Sequence, residues 1–289
     1  MRDRSTVKLV ECPRDAMQGW PSIIPTEQKI IYLQSLLDVG FDVLDFGSFV
    51  SPKAIPQMAD TAEVLSSLDL SNTNTELLAI VANRKGVQQA CSYHQIDILG
   101  YPFSVSETFQ QRNTNSSIED ALTMLKEVVP QIHEAGKKLV VYISMGFGNP
   151  YGDSYSVEEV IAWMEQLHNA GVQSFSLADT VGLASAKQVQ ELTELTIKEF
   201  PQTEIGMHLH ARADSWEDKI GAALQAGCMR FDSAMKGIGG CPMAKDELVG
   251  NIDTEELLKY FTDKGVAPSI NATALQKAAA IASAIFIRN

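Results

Sequence analysis

The chain is poor in cysteine, in positive charge and in long apolar runs. Its four cysteines, Cys12, Cys91, Cys228 and Cys241, form no CxxC pair. That argues against a structural zinc site, and so few thiols in a chain of this size point to a reducing compartment. Lys and Arg number 23 against 36 Asp and Glu, a net charge of −13. A nucleic-acid binder needs a basic stripe to release counterions, so no nucleic-acid partner is expected, and an anionic membrane surface is equally unsuited. An anionic substrate must then be met by local cations rather than by the overall field. The opening MRDRSTVKLV carries charge but no apolar stretch, so no signal peptide is expected. The late segment ALQKAAAIASAIFI is interrupted by Lys277 and is too short to span a bilayer. It reads as a core-facing terminal helix. No GxGxxG follows an early strand, which weakens a dinucleotide-binding reading. A cytoplasmic protein is expected.

Apolar residues make up 45% of the 289, enough for a large core. Strand-like and helix-like segments alternate throughout. Eight β-rich runs stand out: 7–12, 42–46, 77–82, 96–101, 138–144, 172–178, 204–210 and 229–234. Between most of them lie helix-sized stretches. One runs from Pro25 to Val39, with Thr26 as a candidate cap and Gly40 as a stop. Another opens on Ser156 with Glu159 three residues on, the spacing of a capping box. Eight β–α repeats without a long linker predict an α/β chain folded as a (β/α)₈ TIM barrel, one domain over 1–289, with extra helices after Asn251.

Barrel enzymes carry their chemistry at the C-terminal ends of the strands. After the first run stands ECPRDAMQ, with Glu11, Arg14, Asp15 and Gln18. Asp45 closes the second run and Asp179 follows the sixth. The seventh is EIGMHLH. Strand alternation sends Ile205, Met207 and Leu209 toward the helices and Gly206, His208 and His210 into the barrel mouth. A bare HxH usually describes core histidines. Here the apolar residues lie on the other face and carboxylates end neighbouring strands, which favours a divalent-cation site with open positions. Cys241 sits in the glycine-rich KGIGGCP, where an exposed thiol can exchange a proton. The other three cysteines fit small buried apolar positions. Arg14, fixed at the rim by Pro13, suits a carboxylate or a developing enolate.

VKLVECPRDAMQ, SFVSPKAIPQMAD, ADTVG, HLH and GIGGCP, in this order, resemble the hydroxymethylglutaryl-CoA lyase family of metal-dependent barrel lyases, over about Val7 to Asn251. The resemblance implies retro-Claisen cleavage of 3-hydroxy-3-methylglutaryl-CoA to acetyl-CoA and acetoacetate, with Mg²⁺ or Mn²⁺ as cofactor and Zn²⁺ within range of the same donors. Carried over by position, it implies Asp15, His208, His210 and Asn251 as metal ligands. Arg14 would then stabilise the thioester enolate, Cys241 would transfer a proton to it, and Asp45, Asp179 and Glu255 would be supporting acidic residues. Asp15, His208 and a water on the metal stand as acceptors of the first proton. An acyl-CoA substrate and a homodimer or larger assembly are implied too.

Three positions depart from the family pattern. RDAMQ replaces RDGLQ, the interval from Cys241 to Asn251 is one residue longer, and Ala211-Arg212-Ala213-Asp214 follows His210 where the family has Asp-Thr-x-Gly. The last change leaves two rival readings. One is a relative acting on a different 3-hydroxyacyl-CoA or 2-oxo acid; the other is a barrel that binds without turnover. The presence of Arg14, Asp15, both histidines and Cys241 argues against the second.

Overall fold

The computed structural model describes residues 6–212, 214–240 and 249–287. Eight parallel strands follow one another in chain order: β1 (Lys8–Glu11), β2 (Val43–Ser48), β3 (Glu76–Ile80), β4 (Ile98–Ser104), β5 (Lys138–Ser144), β6 (Ser174–Asp179), β7 (Glu204–Ala211) and β8 (Arg230–Ser233). Each pairs with the next, and β8 pairs with β1, so the sheet closes into a barrel. All eight predicted runs are strands. β2 and β6 are buried at every position, as strands covered on both faces must be. A ninth strand, β9 (Gly250–Asn251), pairs antiparallel with the upper end of β7.

The helices are α1 (Pro13–Gln18), α2 (Thr26–Leu37), α3 (Thr61–Ser67), α4 (Arg84–Cys91), α5 (Glu107–Thr114), α6 (Ile118–Glu134), α7 (Val157–Asn169), α8 (Ala186–Glu199), α9 (Trp216–Gln225), α10 (Thr254–Asp263) and α11 (Ala272–Ile285). The two extra C-terminal helices are α10 and α11. Phe231 of β8 meets Phe261 of α10 at 5.0 Å between ring centroids, and Phe286, just after α11, closes edge-on over Trp20 and Tyr32. Ile205, Met207 and Leu209 join the core under the helices, as the alternation of β7 predicts.

Two local expectations change. Thr26 is not the cap of α2; Pro25 holds that position, because the Thr26 hydroxyl donates to Asp60 at 2.7 Å instead. Ser156 does cap α7, accepting from the Glu159 amide, but the Glu159 carboxylate accepts from Ser154 and leaves the box half formed. The full capping box is Ser185 with Gln188 on α8.

Glu11 ends β1 fully buried. It accepts from the Met235 amide at 2.8 Å and the Thr254 hydroxyl at 2.5 Å, tying β1 to the segments after β8 and β9. Burial pushes its carboxyl up to about 8, against the opposing pull of those two hydrogen bonds. The folded state therefore holds a proton that the unfolded chain releases above about 4.5. Glu11 stabilises fully at low pH, and that contribution drains away as the pH rises toward 8. Glu11→Gln keeps an acceptor for Met235 and has no proton to lose. Relative to wild type it is expected to gain on the order of 1–2 kcal/mol between pH 6 and pH 8 in urea melts. Parallel curves for the two proteins would contradict this reading of Glu11.

Candidate metal centre and active site

Pro13 starts α1 directly after β1, so Arg14 and Asp15 stand at the barrel mouth within the first turn of a helix. Ala16 has ordinary helical geometry, so alanine in place of the family's glycine carries no backbone strain. Asp15, His208 and His210 each bring a ligand atom to within 4.8 Å of the others. The carboxylate comes from α1 and both imidazoles from the end of β7.

The two rings are held in one tautomer by different partners. His208 Nδ1 lies 3.2 Å from Asp232 on β8, and His210 Nδ1 lies 2.8 Å from the Thr180 carbonyl. A carboxylate and a carbonyl accept only, so each Nδ1 carries a hydrogen, and in the neutral ring Nε2 keeps its lone pair. His210 Nε2 is buried and makes no hydrogen bond. A buried nitrogen lone pair without a donor, beside a carboxylate and a second imidazole, fits a divalent cation well.

The electrostatics agree. Burial alone would raise the Asp15 carboxyl, but Arg14, then both histidines and the Asn251 amide, hold it well below the usual carboxylate range. Burial and the neighbouring His208 push His210 down, toward the neutral ligand form. Burial pushes His208 down too, but the Asp232 hydrogen bond and charge, with Asp15, outweigh it and leave His208 raised.

Asn251 lies opposite His210 in the β7–β9 register. Its amide nitrogen donates to Asp15 at 2.7 Å and to the Ile238 carbonyl at 2.9 Å, which leaves its oxygen as the available donor atom for a cation. The longer interval before it therefore does not displace it from the cluster. Gly239 lets this happen. At φ +99° it packs so closely that an added Cβ would sit 2.6 Å from the Asn251 nitrogen and 3.0 Å from Ala16.

Asp45 is fully buried and grips Arg14 through Nε and Nη2, the shortest contact being 2.6 Å. Burial pushes the Asp45 carboxyl up to about 6, a rise that Arg14 limits. Arg14 Nη1 donates to Asp15 at 2.9 Å and Gln18 at 3.0 Å, so the guanidinium is locked flat beside the cluster. Asp179 does not reach into the cluster. It accepts from the amides of Leu183 and Ala184 and from Lys219. Glu255 pairs with Lys236, both partly exposed, and is not among the clustered ligand groups. Cys241 lies outside the described residues. Cys12 and Cys228 are buried thiols, both pushed up by burial, as the apolar reading of them implied.

Two residues of this site went unnoticed in the sequence. Asp232 was visible by the same strand-end rule, in MRFDSA. Lys219 on α9 had no signal. Its buried ammonium meets Asp179 at 2.7 Å and reaches toward the carbonyls of Gly182 and His210 at 3.3 and 3.4 Å. It joins the end of β7 to the loop after β6, next to the place where Ala211 replaces the family's acid. Ala211 itself pairs with Gly250, and Arg212 is exposed.

The HMGL-like family profile matches residues 7–282. The hydroxymethylglutaryl-CoA lyase YngG of Bacillus subtilis (strain 168) is 32% identical over 274 residues, 95% of this chain and 90% of that protein. A crystal structure of the Bacillus subtilis HMG-CoA lyase superposes with a TM-score of 0.91 at 31% identity, covering 97% of this chain and 93% of that one. The HMG-CoA lyase from Acinetobacter baumannii, in complex with coenzyme A and 3-methylmalate, superposes with a TM-score of 0.90 at 28% identity, covering 99% and 92%. With a closed (β/α)₈ barrel and a carboxylate–imidazole cluster at its mouth, this chain belongs to the HMGL-like family.

Proposed function

We propose that the protein is a divalent-metal-dependent carbon–carbon lyase that cleaves 3-hydroxy-3-methylglutaryl-CoA to acetyl-CoA and acetoacetate. The observation that carries this reading is the cluster of Asp15, His208 and His210, with both Nδ1 positions already engaged and His210 Nε2 left without a partner. Asp15, His208, His210 and the oxygen of Asn251 would hold the metal. Mixed oxygen and imidazole ligands with open positions suit Mg²⁺ or Mn²⁺, with Zn²⁺ within range of the same donors. When bound, the cation supplies Lewis acidity at the substrate hydroxyl and carboxylate oxygens.

The chain's own groups account for the rest. The tertiary hydroxyl gives up its proton, its C–O becomes the ketone of acetoacetate, and the broken C–C bond's electrons pass to the thioester enolate. Of the bases in the cluster, His208 is the one backed by a carboxylate, with Asp232 at 3.2 Å from Nδ1, which suits it to accept that proton. Its Nε2 can take a proton only when it is not ligating. Arg14, held flat by Asp45, offers fixed positive charge where the enolate oxygen develops. Cys241 is assigned the return of a proton to the enolate carbon. The Asp15 and His208 side chains keep 14% and 12% of their surface exposed, which gives substrate an approach from the mouth.

The free thiols of Cys12, Cys91 and Cys228 support a reducing compartment such as the cytoplasm. No helix among the described residues is long and apolar enough to cross a membrane. A homodimer or larger assembly remains part of the reading, carried by the family resemblance alone.

With Mg²⁺ or Mn²⁺, purified protein is expected to release acetoacetate from 3-hydroxy-3-methylglutaryl-CoA, and EDTA is expected to abolish that release. Metal binding without turnover would transfer the reading to another 3-hydroxyacyl-CoA or 2-oxo acid. Arg14→Met should lower kcat by about 10²–10³-fold, with a circular-dichroism melt to show that the fold survives. Unchanged kcat would remove Arg14 from the chemistry. Cys241→Ser should lower turnover far more than Cys228→Ser, and equal effects would overturn the proton-transfer role.

A further inference from the structure

The barrel interior is divided. Val10, Cys12, Val43, Leu78, Ile80, Ile98 and Val140 form an apolar cluster on the side of β1 to β5, with Tyr142 of β5 at its edge. The other side is filled by charge. Tyr142, Ser176, Gly206 and Arg230 are successive partners in register across β5, β6, β7 and β8, so they stand side by side in one row. Below that row, Glu204 accepts from Lys8 and lies 3.7 Å from Arg230 Nε. Above it, Arg230 Nη2 lies 3.6 Å from Asp232 Oδ1, and Asp232 Oδ2 bonds His208. A continuous polar column climbs the barrel: Lys8, Glu204, Arg230 and Asp232 alternate in charge, the His208 ring follows, and Asp15, Arg14 and Asp45 stand at the mouth.

Arg230 is the costly member of this column. It is 2% exposed, and both of its terminal nitrogens lack a hydrogen bond, as do Tyr142 Oη, Ser176 Oγ and Asp232 Oδ1. A valine or leucine would fill a barrel layer without that desolvation, and buried ion pairs rarely stabilise more than apolar packing does. Gly206 is shaped to admit the arginine, since an added Cβ would sit 2.5 Å from Arg230 Nη1 and 3.1 Å from its stem. A large cation and the hole for it, both held at a cost, need a reason beyond stability. The group that benefits is Asp232. Its only cation at ion-pair distance apart from His208 is Arg230, among the described residues.

We propose that Arg230 is a positioning residue for the metal centre: from one layer below, it holds Asp232 against His208 Nδ1 and so keeps His208 Nε2 turned to the site as a lone pair. This inference rests on the metal-centre reading above. Without the guanidinium, no other cation among the described residues stands within ion-pair distance of Asp232 from beneath, so its carboxylate is free to turn from Nδ1 and His208 loses the partner that selects its tautomer.

The test is Mn²⁺ affinity of metal-free protein, read by electron paramagnetic resonance of the free ion, for wild type, Arg230→Met, Arg230→Lys and Gly206→Ala. Arg230→Met is expected to weaken Mn²⁺ binding by about tenfold or more, with partial recovery in Arg230→Lys. Gly206→Ala, which changes no charge and no ligand, should weaken it by displacing the guanidinium, and it carries the test if Arg230→Met fails to fold. The ¹⁵N resonances of His208 in metal-free protein provide a second readout. Nδ1 should be protonated in wild type and lose that preference in Arg230→Met. Affinity within about twofold of wild type in folded Arg230→Met, or in Gly206→Ala where Arg230→Met does not fold, would overturn the positioning role. Wild type that binds no Mn²⁺ would instead overturn the metal centre itself.

Discussion

A carboxylate taken out of water has to be met by charge or by hydrogen-bond donors. Asp15 is that group here, and the mouth of the barrel is organised around it. Arg14 donates to it from the same helical turn and the Asn251 amide from β9, while the two imidazoles stand beside it from β7. Asn251 and the histidines come from distant parts of the chain, and only barrel closure brings them to Asp15. The guanidinium in turn depends on Asp45, and the imidazoles on Asp232 and the Thr180 carbonyl. Within this set His210 Nε2 is the buried atom left without a partner, which is why it matters more than any motif.

The same logic extends below the mouth. Most barrel interiors are filled by layers of branched apolar side chains. This one is filled so on one side only, and the other holds a column of alternating charge that reaches His208 from beneath. The column is expensive in desolvation. It also carries orientation from the lower barrel to the ligand ring, which apolar packing cannot do. Lys219 has a comparable role at the side of the mouth, where it joins Asp179 to the carbonyl of His210 and Gly182. The departure Ala211-Arg212 therefore sits beside a strand end already held from another element.

Much of this was legible in the residues. The eight strands followed from β-rich runs at barrel spacing, and strand alternation alone placed His208 and His210 inside and Met207 outside. Asp15 and Arg14 were readable because Pro13 stops β1 immediately before them. Other features depend on long-range partners that no local pattern encodes. Thr26 lost its capping role to Asp60, 34 residues away. The two-residue β9 exists only because β7 extends past its pairing with β8 and offers an edge. Lys219 lies in an ordinary amphipathic helix, and Arg230 opens a strand where a charge would pass for the end of a loop. Asp179 shows the converse: a strand-end acid whose oxygens are taken by its own loop and by Lys219.

The central claim is that one carboxylate and two imidazoles of this chain share a divalent cation. Pulsed electron paramagnetic resonance of Mn²⁺-loaded protein, carrying ¹⁵N-labelled histidine, tests it directly. Two coupled histidine nitrogens are expected in wild type and one in His210→Ala. Absence of histidine coupling in wild type, with Mn²⁺ bound, would contradict the account.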